Sequence, residues 1–218
     1  HVRCFGRNTE GELGDGTRMP RATPSEPAVN NVVALRADTL HTCALRDDKT
    51  VHCWGLHDSG QVGVAMQTTT QTTFVLEPTQ VDVPAVIALD VGWKHSCAIT
   101  EDGSVWCWGE NQERQLGLTD DDDRFAPTLA VDVDDARLIS AGFEHTCIVR
   151  GDDRVECFGD DARGQLGDGD ERGEGSALVN GIPRGSRIVQ LASGFRYNLA
   201  MTEDGAVYAW GHNHEGQL

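Results

Sequence analysis

The sequence predicts an all-β chain built as the blades of a β-propeller, and three observations carry that reading. An aromatic followed by glycine recurs at Phe5-Gly6, Trp54-Gly55, Trp108-Gly109, Phe158-Gly159 and Trp210-Gly211, with 49, 54, 50 and 52 residues between the glycines. Offsets around each copy do not slip: an apolar residue follows seven positions later (Leu13, Val62, Leu116, Leu166, Leu218), and His41, His95, His145 or Tyr197 precedes by fourteen. The stretches between them alternate apolar and polar residues at period two, with no long helical pattern. About 50 residues of short antiparallel strands per unit is the size of a propeller blade.

The chain divides into a partial unit at 1–31 and units at 32–85, 86–136, 137–186 and 187–218, which gives four complete hairpins and one trailing half. Each complete unit opens with an apolar strand: Val32-Val33-Ala34-Leu35, Val86-Ile87-Ala88-Leu89, Leu138-Ile139-Ser140-Ala141 or Ile188-Val189-Gln190-Leu191. A hairpin follows, with Ile99 and Val105 facing each other around Glu101-Asp102-Gly103. The other hairpins reverse at Asp47-Asp48, Gly151-Asp152-Asp153 and Asp204-Gly205. Aspartate and glycine suit a tight reversal because both tolerate the left-handed backbone region. After the aromatic-Gly comes a glycine-rich turn such as Gly164-Gln165-Leu166-Gly167. Variation in total period is confined to one connecting loop per unit.

Composition narrows the functional classes. The 218 residues are 39% hydrophobic with 25 glycines, enough for a sizeable core, and no run of 18 apolar residues marks a spanning helix. A net charge of −17 repels phosphate backbones and anionic membranes, so neither nucleic acid nor membrane insertion is expected.

His95-Ser96-Cys97-Ala98, Gly103, Val105-Trp106-Cys107-Trp108-Gly109 and Gln115-Leu116-Gly117 together resemble the regulator of chromosome condensation repeat, and the resemblance covers essentially the whole chain. Two departures mark a diverged member. The glycine three before the His is present as Gly92, Gly142 and Gly194 but is Asp38 in the first complete unit, and Val62 replaces a leucine. The resemblance implies a seven-bladed ring, which at this period needs roughly 360 residues. The chain therefore reads as a stretch of a longer protein, cut inside a repeat at its start. The alternative is an open arc completed by a neighbouring copy through a head-to-tail contact.

Seven cysteines occupy only two repeat positions. Cys43, Cys97 and Cys147 lie two after the His, and Cys4, Cys53, Cys107 and Cys157 lie two before the Gly. Cys97 and Cys107 share the register sum of Ile99 and Val105, which puts them directly opposite on one face, within disulfide reach. The expected bridges are Cys43–Cys53, Cys97–Cys107 and Cys147–Cys157. In the last unit both positions change together, to Leu199 and Ala209, and Cys4 has no mate. Bridges place the protein in an oxidising setting: extracellular, on a cell surface or periplasmic, as a bacterial-type secreted member of the family. The competing readings are buried free thiols and a zinc site, the latter poorly supported because His52 has no counterpart in other units.

Residues that recur with the fold's own period serve the fold. His41, His95 and His145 share a slot with Tyr197 and are expected to hold a turn carbonyl, and Trp54, Trp108 and Trp210 share a core slot with Phe5 and Phe158. A second aromatic slot, Trp93, Phe143 and Phe195, lies between the first strand and the hairpin, on a rim where aromatics either pack or anchor a protein partner. The acidic loops Thr119–Arg124 and Asp168–Glu174 read as solvated surface, with calcium as the alternative. The polar connection Thr68–Thr73 reads as an insert. No nucleophile elbow, phosphate loop or paired metal motif occurs, so no catalytic residue, metal or cofactor is expected. The function that results is non-catalytic recognition of a protein partner through one rim. The alternatives are an extracellular fibre of head-to-tail copies and, by resemblance, a nucleotide-exchange factor or a β-lactamase-inhibitor-like propeller.

Overall fold

The computed structural model describes residues 1–65, 73–130, 133–170 and 173–218. Among them all regular structure is strand. A two-stranded sheet pairs β1 (Cys4–Gly6) with β2 (Arg21–Ser25). Next come a sheet of β3 (Val32–Ala37), β4 (His41–Arg46), β5 (Val51–Leu56) and β6 (Phe74–Val81), and one of β7 (Val86–Val91), β8 (His95–Thr100), β9 (Val105–Gly109) and β10 (Arg124–Leu129). The last two sheets are β11 (Leu138–Ala141), β12 (His145–Val149), β13 (Val155–Asp160) and β14 (Glu174–Leu178), and then β15 (Ile188–Ser193), β16 (Tyr197–Thr202) and β17 (Val207–Gly211). Every sheet is an antiparallel meander in chain order, the arrangement of a propeller blade. The first strands of successive blades contact one another, β3 with β7, β7 with β11 and β11 with β15, so they lie nearest a common axis.

Register follows the sequence pattern. Ile99 pairs with Val105, and Cys43–Cys53, Cys97–Cys107 and Cys147–Cys157 are cross-strand pairs joined as disulfides with Cα atoms 4.1, 4.2 and 4.0 Å apart. Leu199 faces Ala209 in the same slot. The hairpin turns divide their labour differently from expectation. The central aspartate accepts a hydrogen bond from the backbone two residues on, as Asp48 does from Thr50, Asp102 from Ser104 and Asp152 from Arg154. The left-handed position is the next residue: Lys49 (φ 67°), Gly103, Asp153 (φ 66°) and Gly205. The tight loop with a left-handed third residue requires this geometry whatever occupies the position, and a lysine adopts it in the first hairpin.

The core lies between blades. One cluster joins Cys43, Leu45 and Val51 to Leu89, Ala98 and Trp108 of the next blade, a second joins Cys97, Ile99 and Leu116 to Ile148 and Phe158, and a third joins Cys147, Val155 and Leu166 to Ile188 and Ala200. A repeated polar bond ties each junction. His41 Nε2 lies 2.7 Å from Ser96 Oγ in the next blade, His95 Nε2 2.9 Å from Thr146 Oγ1, and His145 Nε2 2.9 Å from Asn198 Oδ1. These partners in turn donate to the turn carbonyls of Gln61, Gln115 and Gln165. The Ser and Thr hydroxyl protons are thereby engaged, so each imidazole donates through Nε2–H. The histidines thus reach the turn carbonyl through the next blade's side chain instead of touching it directly.

Two glycines show how tightly this is packed. A Cβ on Gly142 would lie 2.2 Å from His145 Cε1 and 2.7 Å from the Gly194 carbonyl oxygen, and a Cβ on Gly92 would meet the His95 ring in the same way. Gly142→Ala is expected to destabilise the fold by ~3 kcal/mol through overpacking against a fully buried ring, read as a lower denaturant midpoint. An unchanged midpoint would mean that the junction yields.

Candidate recognition face

Each blade connects its first strand to its hairpin by a short turn, and the third residue before His95, His145 or Tyr197 is a glycine that lets the ring approach. The next residue projects from that turn, and the spacing of the blades brings three such residues into a row. Trp93 stacks on Phe143 with ring centroids 4.4 Å apart and planes inclined by 20°, and Phe143 packs on Phe195 at 4.1 Å and 37°. The row begins where the aromatics begin, because the first complete unit carries Thr39 in this slot. Trp93 and Phe143 are half-buried against one another, whereas Phe195 is 59% exposed. A concavity of ≈ 280 Å³ borders the row, lined also by Asp38, Thr39 and Gly194.

Charged groups surround the aromatics. Lys94 Nζ stands 5.3 Å from the Trp93 ring, and the Arg196 guanidinium lies 5.6 and 5.4 Å from Phe143 and Phe195, within cation–π range. Lys94 bridges Asp58 of the preceding blade at 3.2 Å and approaches Glu110 at 3.9 Å, and Arg196 reaches Glu144 of the preceding blade at 3.4 Å. Burial pushes the carboxyls of Glu110 and Glu144 up from their ordinary range. Neighbouring acids add to this, with Lys94 and Arg196 opposing it. The sequence reading did not include this ring of charge. Its signal was present one residue before the His slot (Lys94, Glu144, Arg196) and one after the aromatic-Gly (Glu110, Asp160), but the residue type changes from unit to unit.

The remaining predicted features stand apart from this row. The loop at 119–124 closes on itself, with Arg124 Nη2 2.7 Å from Asp120 Oδ2 and Asn111 donating to the Asp120 carbonyl. Of the second acidic loop, residues 171 and 172 lie outside the described residues, as does most of the polar connection at 68–73. Among the described residues no group of three or more His, Cys, Asp or Glu is arranged to hold a metal.

The deciding comparison is with protein families: the RCC1-like domain model matches residues 1–218. The chain belongs to the RCC1-like domain family. Protein pim1 of Schizosaccharomyces pombe is 31% identical over 219 residues, covering 96% of this chain and 33% of pim1. Among solved structures, human WBSCR16 superposes with a TM-score of 0.83 at 18% identity, covering 97% of this chain and 56% of that one. Yeast RCC1 (Prp20), in its complex with Kap60, gives 0.78 at 21%, covering 92% and 48%. At those identities the two structures show the fold. The chain thus spans about a third of the length of pim1 and about half of each of the two solved chains.

Proposed function

We propose that this RCC1-like chain is a non-catalytic recognition module, working in an oxidising compartment (extracellular, cell-surface or periplasmic), that holds a protein partner on the face carrying Trp93, Phe143 and Phe195. The observation that carries the proposal is the row itself. Three aromatic rings from three blades lie in contact on one face, with alternating charges beside them. Rigid aromatics within a polar rim have the anatomy of a binding hot spot. Yeast RCC1 (Prp20), seen bound to Kap60, is a precedent for a protein partner of a chain with this fold. Three disulfides support the compartment.

A photo-crosslinking residue at position 195 captures the partner, whose affinity is then measured against Trp93→Ala and Phe195→Ala. Each substitution is expected to weaken binding by roughly 10–100-fold, the scale of a hot-spot truncation, without lowering the melting temperature by more than a surface change would. Full affinity in both variants, with loss instead on replacing Asp121 in the 119–124 loop, would move the interface off this face.

A further inference from the structure

The turn between first strand and hairpin is built differently in one of the four complete units. Three units carry glycine and an aromatic there, Gly92-Trp93, Gly142-Phe143 and Gly194-Phe195, whereas the first carries Asp38-Thr39. The glycines leave no room for a side chain: a Cβ on Gly92 or Gly142 would lie 2.3 or 2.2 Å from Cε1 of its histidine, and one on Gly194 2.5 Å from the Tyr197 ring. The first turn opens to admit one. Asp38 N stands 3.3 Å from the His41 carbonyl oxygen, against 2.9, 2.8 and 2.8 Å for Gly92, Gly142 and Gly194 in the equivalent bonds. Where a fourth ring would extend the row, the fold presents two exposed residues, one with a carboxylate and one with a hydroxyl.

The concavity of ≈ 280 Å³ beside the row brings these features together. Trp93, Phe143 and Phe195 line it, Asp38 and Thr39 line it as well, and among its lining residues Asp38 alone is charged. Asp38 Oδ1 accepts a hydrogen bond from Thr39 N, and among the described residues no cation pairs with the carboxylate. The cations of neighbouring turns and strands are engaged elsewhere. Arg7 holds Glu12 at 2.7 Å and the Thr39 carbonyl at 2.6 Å, and Arg36 holds Asp90 at 3.3 Å. Lys94 holds Asp58 at 3.2 Å, and Arg196 holds Glu144 at 3.4 Å. Both of these also stand within cation–π range of the row, so the rings already draw cations from the chain itself.

We propose that this concavity takes the guanidinium of an arginine side chain carried by the protein partner, with Asp38 as its counter-ion and the aromatic row as its wall. The inference rests on the recognition face proposed above and names what that face holds. Ring faces carry negative potential, so together with an unpaired carboxylate they favour a cation and repel an anion. A neutral apolar occupant would strip water from the carboxylate and replace it with nothing. Guanidinium fits better than ammonium because it is planar, stacks on a ring, pairs with a carboxylate through two parallel N–H bonds and gives up its hydration more readily. The volume falls just below the ~300–1,000 Å³ of small-molecule sites and suits a single side chain.

Blocked arginine (the N-acetyl methylamide) is the probe, with blocked citrulline as its uncharged twin and blocked lysine as the other cation. Each is titrated into ¹⁵N-labelled protein while the Trp93 indole N–H and the Thr39 amide are followed by NMR. Blocked arginine is expected to saturate both signals with a Kd of roughly 1 mM, and citrulline and lysine to bind at least tenfold more weakly. Asp38→Asn keeps the acceptor for Thr39 N, so it should melt with the wild type and still lose about tenfold in affinity for arginine. Asp121→Asn, which removes a carboxylate from the 119–124 loop and outside the concavity, should leave that affinity unchanged. No saturation by arginine overturns the proposal, and so does citrulline or lysine binding equally well; these comparisons are made on the wild type and need no variant. Full affinity in a folded Asp38→Asn protein, or an equal loss in Asp121→Asn, also overturns it. Capture of a partner through position 195 with no arginine binding overturns it too, and leaves the recognition face standing.

Discussion

Acidification from neutral pH to about pH 4.5 is expected to remove about 8 kcal/mol of stability through three histidines alone. His41, His95 and His145 are fully buried between blades, and burial pushes them down to about 4, 3 and 4 respectively, from about 6.5 in an unfolded chain. Asp38 beside His41 and Asp160 near His145 work against the shift, while His145 and His41 depress His95 further and His57 depresses His41. Each ring donates through Nε2–H, and among the described residues its Nδ1 has no hydrogen-bond partner. Protonation would place an unanswered N–H in the core. The stabilisation is therefore complete above about pH 6.5 and is lost as pH falls from there towards the folded-state values near 4 and 3. Over that window the unfolded chain takes up protons that the folded one refuses, about 4 kcal/mol per pH unit for three sites. Urea unfolding at a series of pH values measures the slope. His95→Gln should lower stability at neutral pH and also remove about a third of the slope. The raised carboxyls of Glu110 and Glu144 act with the opposite sign and flatten the profile slightly. A profile with no fall between about pH 6.5 and 4.5 would mean that the rings are not held neutral.

Reduction of the three disulfides carries the second large effect. Each closes a ten-residue separation across one hairpin, and on a chain-entropy account such a loop contributes about 2.7 kcal/mol, so all three contribute about 8 kcal/mol. Their sulfur atoms lie in the inter-blade clusters with Trp108, Phe158 and Leu166, so loss of a bridge also leaves two thiols where the core is packed tightly. Denaturant midpoints with and without reductant should differ accordingly. The single replacement pair Cys97→Ala with Cys107→Ala should account for about a third of the difference. The last complete unit, with Leu199 and Ala209 in the same slot, shows that a blade can form there without a bridge.

How much of this could be read from residues alone follows from what repetition encodes. Five copies in register display strand positions, the facing of Cys97 and Cys107, and the shared slot of Trp54, Trp108, Phe158 and Trp210, because each of these is fixed within one unit. Contacts between units are a different matter. The partner of His41 is Ser96, 55 residues away, and the partner's type changes to Thr146 and Asn198 at later junctions, so no recurring residue announces the bond. The contact of Trp93, Phe143 and Phe195 likewise depends on how closely the blades approach the axis, which no single unit specifies. The hairpin reversals fall where the Asp and Gly residues of each unit put them, but the left-handed residue at Lys49 reflects loop geometry overriding local preference.

The central claim is a disulfide-braced recognition propeller working outside the reducing cytoplasm, and the state of its cysteines in the protein's own cells tests it most directly. Thiols are blocked at lysis under denaturing conditions, the protein is isolated, and its mass is compared before and after reduction and a second blocking reagent. The account predicts that Cys43, Cys53, Cys97, Cys107, Cys147 and Cys157 all escape the first reagent and react only after reduction. Modification of all six by the first reagent would contradict it, removing both the compartment and the bracing, and would turn attention to partners met in a reducing environment.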